Sequence, residues 1–476
     1  MALHGVQLVI AVVSFTVHVG VVLRAILKPA REPYARAAWL LLLLALPGIG
    51  TILYLLFGEP WISGKFRARG RQAYEALLPY APPGTPLDGL TANAFHTCEA
   101  ASRWPAVSGN TAKVAPDSDT AIAMLVADID AARHSVHLSF YIWLTDNNGS
   151  KVVDAVCRAA QRGVACRIVA DAIGSYAMTR SEAWQRMQGS GASLCASLAA
   201  PLGLGFLAGH RTDLRNHRKI VVIDGRITYC GSQNCADPAF LPKRRFAPWV
   251  DILIRYEGPV ARHAQIIFAS AWIAETGEPM EAVLAAEPLD PSQNGFTAIA
   301  VGTGPLSPNA AMTDIFVSVL AAARETATIT SPYFAPDPPL LGAIVAAARR
   351  GVAVTITFPK RNDSPIVGAI SRAYYPLLTA AGVRIFEFSG GLLHAKTLVV
   401  DEVLALVGSS NMDRRSLDLN FENNILFESP QLAAEVAVHQ RRWLDQSIEI
   451  DHERVATRPL LRRFVDNSLT MVAALF

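Results

Sequence analysis

The chain has 476 residues, of which 51% are apolar, and its formal net charge is +3. This length exceeds one ordinary domain and supplies enough apolar side chains for two or three cores, while the small charge and the lack of a long basic run argue against a nucleic-acid-binding tail. The six cysteines show no C-x-x-C pair and no regular framework, which argues against a zinc site or a disulfide scaffold and favours buried free thiols.

The first 60 residues contain two uncharged apolar stretches, Val6 to Leu23 and Ala37 to Phe57. Each approaches the ~20 residues that a membrane-spanning helix needs, so we predict two transmembrane helices within residues 1–60. A signal peptide is the alternative for the first stretch, but no Lys or Arg precedes it and a second apolar stretch follows. Pro47 and Gly48 could kink the second helix or make the pair a shallow hairpin.

The basic residues around these stretches do not decide the orientation. Between the stretches lie Arg24, Lys28, Arg31 and Arg36, and after the second lie Lys65, Arg67, Arg69 and Arg71. The positive-inside rule therefore gives a near tie. Two crossings would place the rest of the chain on the same side as the N-terminus.

A repeated segment indicates that the rest of the chain is built twice. Residues 159–164 read AAQRGV and residues 347–352 read AARRGV, each at the end of an Ala-rich amphipathic stretch and before an apolar, strand-like run. Upstream of these, HSVHLSFYIW matches ETATITSPYF. Strands that alternate with helices predict an α/β fold with two similar domains, each a mixed β-sheet flanked by helices, related by a pseudo-twofold axis.

The domain boundaries follow from this duplication. We expect a linker region at residues 61–110, the first domain at residues 111–290 and the second at residues 291–476. The join lies near residues 286–296, where Pro288, Pro291 and Asn294-Gly295 are typical of a loop.

Each half carries the same polar motif, a histidine with a lysine two positions later and an aspartate five positions after the lysine. The residues are His217, Lys219 and Asp224 in the first half, and His394, Lys396 and Asp401 in the second. After six intervening residues, each half has a Gly-Ser-x-Asn segment, at 231–234 and 408–411. Residues two apart in a strand share a face, so each His and Lys point the same way. Asp224-Gly225 predicts a hairpin turn that returns the Gly-Ser-x-Asn segment beside the strand.

This set of groups suits displacement at a phosphodiester. The reaction needs a nucleophile, a proton donor for the leaving alcohol and positive groups on the non-bridging oxygens. A neutral imidazole can attack phosphorus and a protonated one can donate, because imidazole titrates near neutral pH. No metal is required. A lone His-x-Lys is more often the polar edge of a strand, but two copies with matched Gly-Ser-x-Asn segments favour a catalytic site.

An acid follows each copy of the motif, Asp251 in the first half and Glu422 in the second. Such a carboxylate can orient an imidazole by accepting its other N–H. For Asp251 taken alone, a surface acid is an equally good interpretation.

The paired motif resembles the phospholipase D superfamily. Within it, the chain is similar to bacterial cardiolipin synthases over nearly its whole length, including the LLLALPGIGTILYLLFGEP segment of the N-terminal region. The closer resemblance is carried by FYIW (140–143), SPYFAPD (331–337), LHAKTLVVD (393–401) and GSSNMDRRSLDLNFENN (408–424). It implies two phospholipase D-type domains preceded by two transmembrane helices.

The resemblance also implies roles for the motif residues, in a transfer through a phosphatidyl-histidine intermediate. His217 is similar to the family's nucleophile and His394 to its general acid. Lys219 and Lys396 would hold the phosphate oxygens. Asp224 and Asp401 match the motif aspartates, for which structural ion pairing is expected rather than proton transfer. The matched phosphate-pocket positions are Ser232, Asn234, Ser409 and Asn411, and the matched His-orienting acids are Asp251 and Glu422.

The family substrate is phosphatidylglycerol, which donates its phosphatidyl group to the terminal hydroxyl of a second molecule and releases glycerol. The resemblance therefore implies a multi-pass protein of a bacterial inner membrane, with phosphatidylglycerol as donor and acceptor and without a metal, other cofactor or nucleic acid. A hydrolytic phospholipase D, or a synthase with phosphatidylethanolamine as donor, would use the same residues. A nuclease fits the lipid anchor poorly, and a catalytically dead scaffold fits two intact motifs poorly.

Three further features have two interpretations each. Arg211, Arg215, Arg218 and the run 243–245 could bind anionic head groups, although a solvated surface is the better interpretation of the run. The apolar segment 194–207 is either a loop over the membrane or substrate, or part of the core. The C-terminal segment 469–476 is too short to span a membrane and is expected to pack or to lie at the interface.

Overall fold

The computed structural model describes residues 2–29, 33–59, 61–199, 213–287 and 295–473. Arg211, the apolar segment beyond residue 199 and the join from Pro288 to Asn294 lie outside the described residues. The chain divides into two compact units. Unit 1 comprises Met1–Ser63, Ala200–Asp213 and Leu460–Phe476, and unit 2 comprises Gly64–Ala199 and Leu214–Pro459.

The α-helices of the described residues are α1 (Ala2–Leu27), α2 (Pro33–Ala45), α3 (Pro47–Phe57), α4 (Gly64–Leu77), α5 (Ala92–Ser102), α6 (Ser118–Ala131), α7 (Asn147–Gln161), α8 (Glu182–Gly189), α9 (Val260–Thr276), α10 (Glu281–Ala286), α11 (Ala311–Ala322), α12 (Pro338–Arg349), α13 (Pro365–Ala373), α14 (Tyr375–Ala380), α15 (Pro430–Leu444), α16 (His452–Ala456) and α17 (Leu460–Ala473). Short 3-10 turns lie at Leu78–Tyr80, Met178–Arg180 and Leu241–Phe246, and a π-helical turn lies at Arg415–Leu419.

The strands are β1 (Val107–Val114), β2 (Ser135–Phe140), β3 (Ala165–Asp171), β4 (Ser193–Ser197), β5 (Lys219–Ile223), β6 (Ile227–Gly231), β7 (Trp249–Val250), β8 (Leu253–Glu257), β9 (Phe296–Thr303), β10 (Thr326–Thr330), β11 (Phe334–Ala335), β12 (Ala353–Pro359), β13 (Arg384–Phe388), β14 (Leu392–Leu393), β15 (Thr397–Val400), β16 (Leu404–Gly408), β17 (Met412–Asp413), β18 (Glu422–Glu428) and β19 (Ser447–Glu449). Fifteen of them form one mixed sheet.

The strand order of this sheet shows the duplication directly. One half runs β1-β8-β6-β5-β2-β3-β4, and the other runs β9-β18-β16-β15-β10-β12-β13 with β19 added at the edge. The halves meet where β1 pairs antiparallel with β9. In the first half β2 pairs parallel with β3 and antiparallel with the motif strand β5. In the second half β10 pairs in the same way, parallel with β12 and antiparallel with the motif strand β15. Two similar domains with a mixed sheet are thereby confirmed.

The repeated AA(Q/R)RGV segments have the same conformation. α7 and α12 each begin after an aspartate, Asp146 or Asp337, whose carboxylate accepts a backbone N–H of the first turn at 3.0 Å. Each helix is followed by a glycine in the left-handed region, Gly163 with φ +87° and Gly351 with φ +94°. A side chain there would strain the backbone, so the glycine ends the helix and lets the chain enter the next strand.

Residues 64–110, most of the region that we expected to form a linker, belong to unit 2. α4 packs against α9, and α5 packs against α11 and β9. Leu77, Phe95 and Trp104 are buried in the main core, and the Trp104 indole N–H donates to the carbonyl of Ala300 at 3.0 Å. The linker expectation is therefore corrected for the described residues, because the apolar faces of these helices are buried against the body.

In unit 1, α1 is a helix of 26 residues. Within the described ranges, His4–Leu27 is the single segment long and apolar enough to cross a membrane. The second apolar stretch is not one helix. α2 stops before Leu46, whose φ of −133° is non-helical, and α3 begins at Pro47. The proline disfavours helical backbone at the residue before it and so accounts for the break.

The helices α2 and α3 fold back on one another. The rings of Trp39 and Tyr54 meet edge to face with centroids 5.1 Å apart, whereas a continuous helix would separate these residues by about 22 Å along its axis. A Cβ at Gly50 would lie 2.6 Å from the carbonyl oxygen of Leu42, so the close approach requires glycine. The prediction of two spanning helices is not confirmed, and the second stretch forms a short helical hairpin.

Candidate functional site

The two motif histidines lie just before the motif strands. Lys219 is the first residue of β5, two positions after His217, and Lys396 immediately precedes β15, two positions after His394. The Gly-Ser-x-Asn segments follow from β6 and β16, which pair antiparallel with β5 and β15 as expected. The turns contain three residues, and Asp224 and Asp401 both adopt φ +51° at the first position.

Each histidine is paired with the acid of the opposite half. The Nδ1 atom of His217 lies 2.8 Å from Oε2 of Glu422, and Nδ1 of His394 lies 2.7 Å from Oδ1 of Asp251. The backbone repeats this exchange, because the N–H of His217 donates to the carbonyl of Phe421 at 2.9 Å and that of His394 to the carbonyl of Val250 at 2.8 Å. A carboxylate only accepts, so Nδ1 carries the proton and Nε2 carries the lone pair.

The motif serines hold these acids in place. The Ser232 hydroxyl donates to Oδ1 of Asp251 at 2.5 Å, and the Ser409 hydroxyl donates to Oε2 of Glu422. Both serines are fully buried. Their protons are directed to the carboxylates behind the histidines, and their assignment to a phosphate pocket remains a prediction.

The motif asparagines differ between the halves. Oδ1 of Asn234 accepts the backbone N–H of Ile142 at 3.1 Å. The Asn411 amide donates to the Ser416 hydroxyl at 3.3 Å, while its buried Oδ1 has no hydrogen-bond partner. Their prediction as phosphate-pocket positions remains a prediction.

The two lysines form a buried cationic pair of equivalent geometry. Nζ of Lys219 donates to the carbonyl of His217 at 2.7 Å, and Nζ of Lys396 donates to the carbonyl of His394 at 2.5 Å. Burial lowers the pKa of Lys219 to about 8 against the opposing pull of nearby carboxylates. Burial, helped by the charge of Lys219, lowers the pKa of Lys396 to about 7. Two desolvated ammonium groups favour an anion between them, such as a phosphodiester.

Burial also lowers the pKa values of the two motif histidines. It lowers the pKa of His217 to about 4, with Lys219 and Lys396 adding to the effect and Glu422 opposing it. It lowers the pKa of His394 to about 4, with Lys396 adding to the effect and Asp251 opposing it. Without a bound anion, both imidazoles are therefore neutral at pH 7, and each has its lone pair at Nε2.

The acids stay ionised although they are buried. Burial alone would raise the pKa of Glu422, but His217 and Lys219 outweigh it and the pKa lies below its ordinary value. The pKa of Asp251 is likewise lowered, because His394 and Lys396 outweigh its burial. An ionised carboxylate behind each imidazole stabilises the imidazolium that forms during proton transfer or attack.

Asp224 and Asp401 lie at the far ends of the motif strands, about 17 Å along β5 from Lys219 in the first case. The Asp224 carboxylate accepts the backbone N–H groups of Arg133, His134 and Ser135 at 2.7–2.9 Å. Asp401 accepts the equivalent three, at Arg324, Glu325 and Thr326, at 2.8–2.9 Å. The expected ion pairing is thus corrected to backbone hydrogen bonding that fixes the start of the neighbouring strand, and neither residue can reach a substrate at the histidines.

Aromatic side chains that the sequence did not assign to the site enclose the histidines. The Tyr141 ring lies 4.8 Å from that of His217 and 5.4 Å from Nζ of Lys219. Trp249 lies 4.7 Å from His394, and Tyr333 lies 6.4 Å from it. Tyr141 and Tyr333 belong to the FYIW and SPYF segments, which carried the family resemblance without a physical role, and Trp249 lies outside both.

The basic residues proposed for head groups mostly have partners within the protein. Arg215 pairs with the buried Asp171 at 3.1 Å. Arg218 is stacked on Phe421 with its guanidinium 5.1 Å from the ring centroid, and burial lowers its pKa to about 10. Lys243, for which we favoured a solvated surface, binds the buried carboxylate of Asp363 at 2.5 Å.

The described residues contain no group of three His, Cys, Asp or Glu side chains that could hold a metal ion. Within the same residues all six cysteines are free thiols. The chemistry of the site is carried by the two crossed His-acid pairs and the two buried lysines.

Comparison with known proteins places the chain in a family. A model described as the cardiolipin synthase, PLD-like domain matches residues 125–272 and 316–443, and a phospholipase D-nuclease N-terminal model matches residues 19–59. Cardiolipin synthase A of Escherichia fergusonii is 36% identical over 459 residues, covering 94% of each chain. Cardiolipin synthase A of Klebsiella pneumoniae is 36% identical over 462 residues with the same coverage.

The chain belongs to the cardiolipin synthase family. It is a phosphatidyltransferase of the phospholipase D superfamily and a bacterial membrane protein. The crystal structure of phosphatidylserine synthase from Haemophilus influenzae matches it with a TM-score of 0.60 at 15% identity, over 81% of this chain and 98% of that one. This likeness supports the shared fold of two phospholipase D-like domains.

Proposed function

We propose that the enzyme uses phosphatidylglycerol as both donor and acceptor and joins two molecules into cardiolipin with release of glycerol. The observation that carries the proposal is the pair of crossed His-acid contacts, His217 with Glu422 and His394 with Asp251, each histidine accompanied by a buried lysine two residues further on. This arrangement supplies two imidazoles of opposite role and a cationic seat for one phosphodiester.

In the first step, Nε2 of His217 attacks phosphorus and the bond from phosphorus to the glycerol oxygen breaks. A protonated His394 gives its Nε2 proton to that oxygen, and glycerol leaves. Binding of the anionic phosphate favours this protonation, since an adjacent negative charge raises the pKa of an imidazole. Lys219 and Lys396 stabilise the charge on the non-bridging oxygens.

In the second step, the terminal hydroxyl of another phosphatidylglycerol attacks the phosphatidyl-histidine. His394, now neutral, takes the hydroxyl proton, and the bond from phosphorus to His217 breaks. The assignment of His217 as nucleophile rests on the family resemblance. Glu422 and Asp251 are compatible with either assignment, because each stabilises positive charge on the imidazole that it contacts.

We also propose a membrane arrangement for the inner membrane of a bacterium. α1 crosses the bilayer, while α2 and α3, each about 17–20 Å long, enter it and return without spanning the ~30 Å hydrocarbon core. This arrangement is an alternative to the two spanning helices that the sequence predicted. We retain 111–290 and 291–476 as the extents of the two repeats.

The test uses purified enzyme in mixed micelles of phosphatidylglycerol whose head-group glycerol is labelled. Equal amounts of cardiolipin and free glycerol would support the proposal. Phosphatidic acid with free glycerol, and no cardiolipin, would identify a hydrolase instead. Added phosphatidylethanolamine that raises cardiolipin and releases ethanolamine would show a different donor.

A further inference from the structure

Three segments of unit 2 border the catalytic histidines. Residues 172–180 follow β3, whose last residue, Asp171, accepts the N–H of Asn216 at 2.9 Å. Residues 360–366 follow β12 and include Asp363, which accepts the Tyr333 hydroxyl at 2.7 Å. Residues 239–246 reach the same place, because Lys243 pairs with Asp363. We call these three segments the rim.

The rim exposes large apolar side chains. Ile173 is 54% exposed, Tyr176 50%, Leu241 64% and Ile366 57%. A single exposed apolar residue is ordinary on a protein surface. Four such residues, contributed by three separate segments at the edge of the sheet that holds the histidines, indicate a surface that something covers.

The rim is also strongly cationic. Its exposed cations are Arg180, Lys243, Arg244, Arg245, Lys360 and Arg361. Its one carboxylate is Asp363, which is buried and already paired with Lys243. Apolar tips interleaved with cations suit a bilayer that carries anionic lipid, where the tips enter the acyl region and the cations meet phosphates.

We propose that the rim docks on an anionic bilayer surface and thereby lets a lipid head group reach the histidines while its acyl chains stay in the membrane. The inference rests on the proposed function for the identity of the lipid. It assigns the rim residues to membrane docking, separate from the groups that perform the transfer.

The first test compares the enzyme with an Ile173→Ser, Leu241→Ser, Ile366→Ser triple variant. In mixed micelles, we expect the molar ratio of phosphatidylglycerol to detergent at half-maximal rate to be about tenfold higher or more for the variant. This is the order of magnitude expected when three apolar side chains no longer insert. With short-chain, monomeric phosphatidylglycerol we expect unchanged kcat/KM. Leu377→Ser is the matched control. Leu377 is exposed on α14, which leads into the beginning of β13, whereas the rim segments 172–180 and 360–366 follow the ends of their strands.

Unchanged micellar kinetics in the triple variant would overturn the proposal. A folded triple variant that loses equal activity on monomeric substrate would also overturn it, because the residues would then act within the site. Folding of each variant is checked by thermal unfolding.

A second measurement does not depend on activity or on the triple variant. Leu241→Trp and Leu377→Trp proteins are placed in bilayers containing brominated phosphatidylcholine and phosphatidylglycerol, and their fluorescence is compared with that of the unmodified enzyme. Additional quenching at position 241 and none at 377 supports docking, and equal quenching refutes it. Because quenching needs no turnover, a protein that docks but makes no cardiolipin would contradict the proposed function and leave the docking inference standing.

Discussion

Replacing Glu422 with Gln should slow phosphatidyl transfer through His217, although the two residues are 205 positions apart in the chain. The change keeps the size of the side chain and removes the charge that stabilises a developing imidazolium. A hydrogen bond to a charged group contributes about 1.5–3 kcal/mol, which corresponds to a loss of about 10- to 150-fold in kcat at 1.36 kcal/mol per decade. We expect Asp251→Asn to cause a similar loss through His394.

The leaving group separates these two variants. A phosphatidyl ester of p-nitrophenol releases a phenolate that needs little protonation, so it bypasses a weakened general acid. Asp251→Asn should recover most of its loss on this substrate, whereas Glu422→Gln should not, since nucleophilic attack is still impaired. Asp130→Asn, at an exposed ion pair with Arg158, is the control and should match the unmodified enzyme. Recovery by Glu422→Gln and not by Asp251→Asn would refute the assignment of Glu422 to the nucleophile His217 and of Asp251 to the general acid His394.

Other predictions concern pH and stability. The pKa is about 7 for Lys396 and about 8 for Lys219. We therefore expect kcat/KM to fall as pH rises from 7 to 9, because the phosphate loses its positively charged partners. Lys396→Arg should move this fall to higher pH, and an unchanged pH profile would contradict the prediction. Asp224→Ala leaves three backbone N–H groups without their acceptor and should lower the free energy of unfolding by about 2–3 kcal/mol, measured as a lower Tm. Turnover per folded molecule should be unchanged. Lost turnover at an unchanged Tm would show that Asp224 takes part in catalysis. Burial lowers the pKa of His137 to about 3, so the unfolded state binds an extra proton below pH 6.5 and about 2 kcal/mol is lost by pH 5. His137→Phe, which can keep the stacking on Phe268 at 4.9 Å, should reduce the stability difference between pH 7.5 and pH 5 in denaturant titrations, and an unchanged difference would count against this account.

The sequence was informative wherever a signal was local. The His-x-Lys spacing, the glycine after α7 and α12, and the Asp224 turn each depend on a few neighbouring residues, so their structures followed from period and backbone preference. The duplication then predicted two similar domains, since a repeated local pattern gives a repeated fold. The strand order of the sheet agrees with this element by element.

Local sequence patterns could not predict which histidine each acid contacts. Asp251 and Glu422 follow the motif of their own half, yet each contacts the histidine of the other. This exchange depends on how two halves pack, and no pattern within one half reports it. The role of Ser232 and Ser409 was missed for the same reason, because each serine serves an acid whose partner lies across the interface.

Hydropathy also failed to distinguish a spanning helix from a hairpin. The stretch from Ala37 to Phe57 is uncharged throughout, and composition alone suits a span. The local break at Leu46 and the close approach at Gly50 decide the fold instead. Pro47 was the visible cue, but its outcome depends on packing between Trp39 and Tyr54.

We expect the phosphatidyl group to be bound covalently to His217 during transfer. Enzyme is mixed with phosphatidylglycerol labelled in its phosphate and quenched in detergent at neutral pH, since the phosphorus–nitrogen bond of phosphohistidine hydrolyses in acid, and the labelled peptide is identified by mass spectrometry. We expect label on His217 that forms and decays at the rate of turnover. Label on His394, or turnover without a labelled histidine, would contradict it.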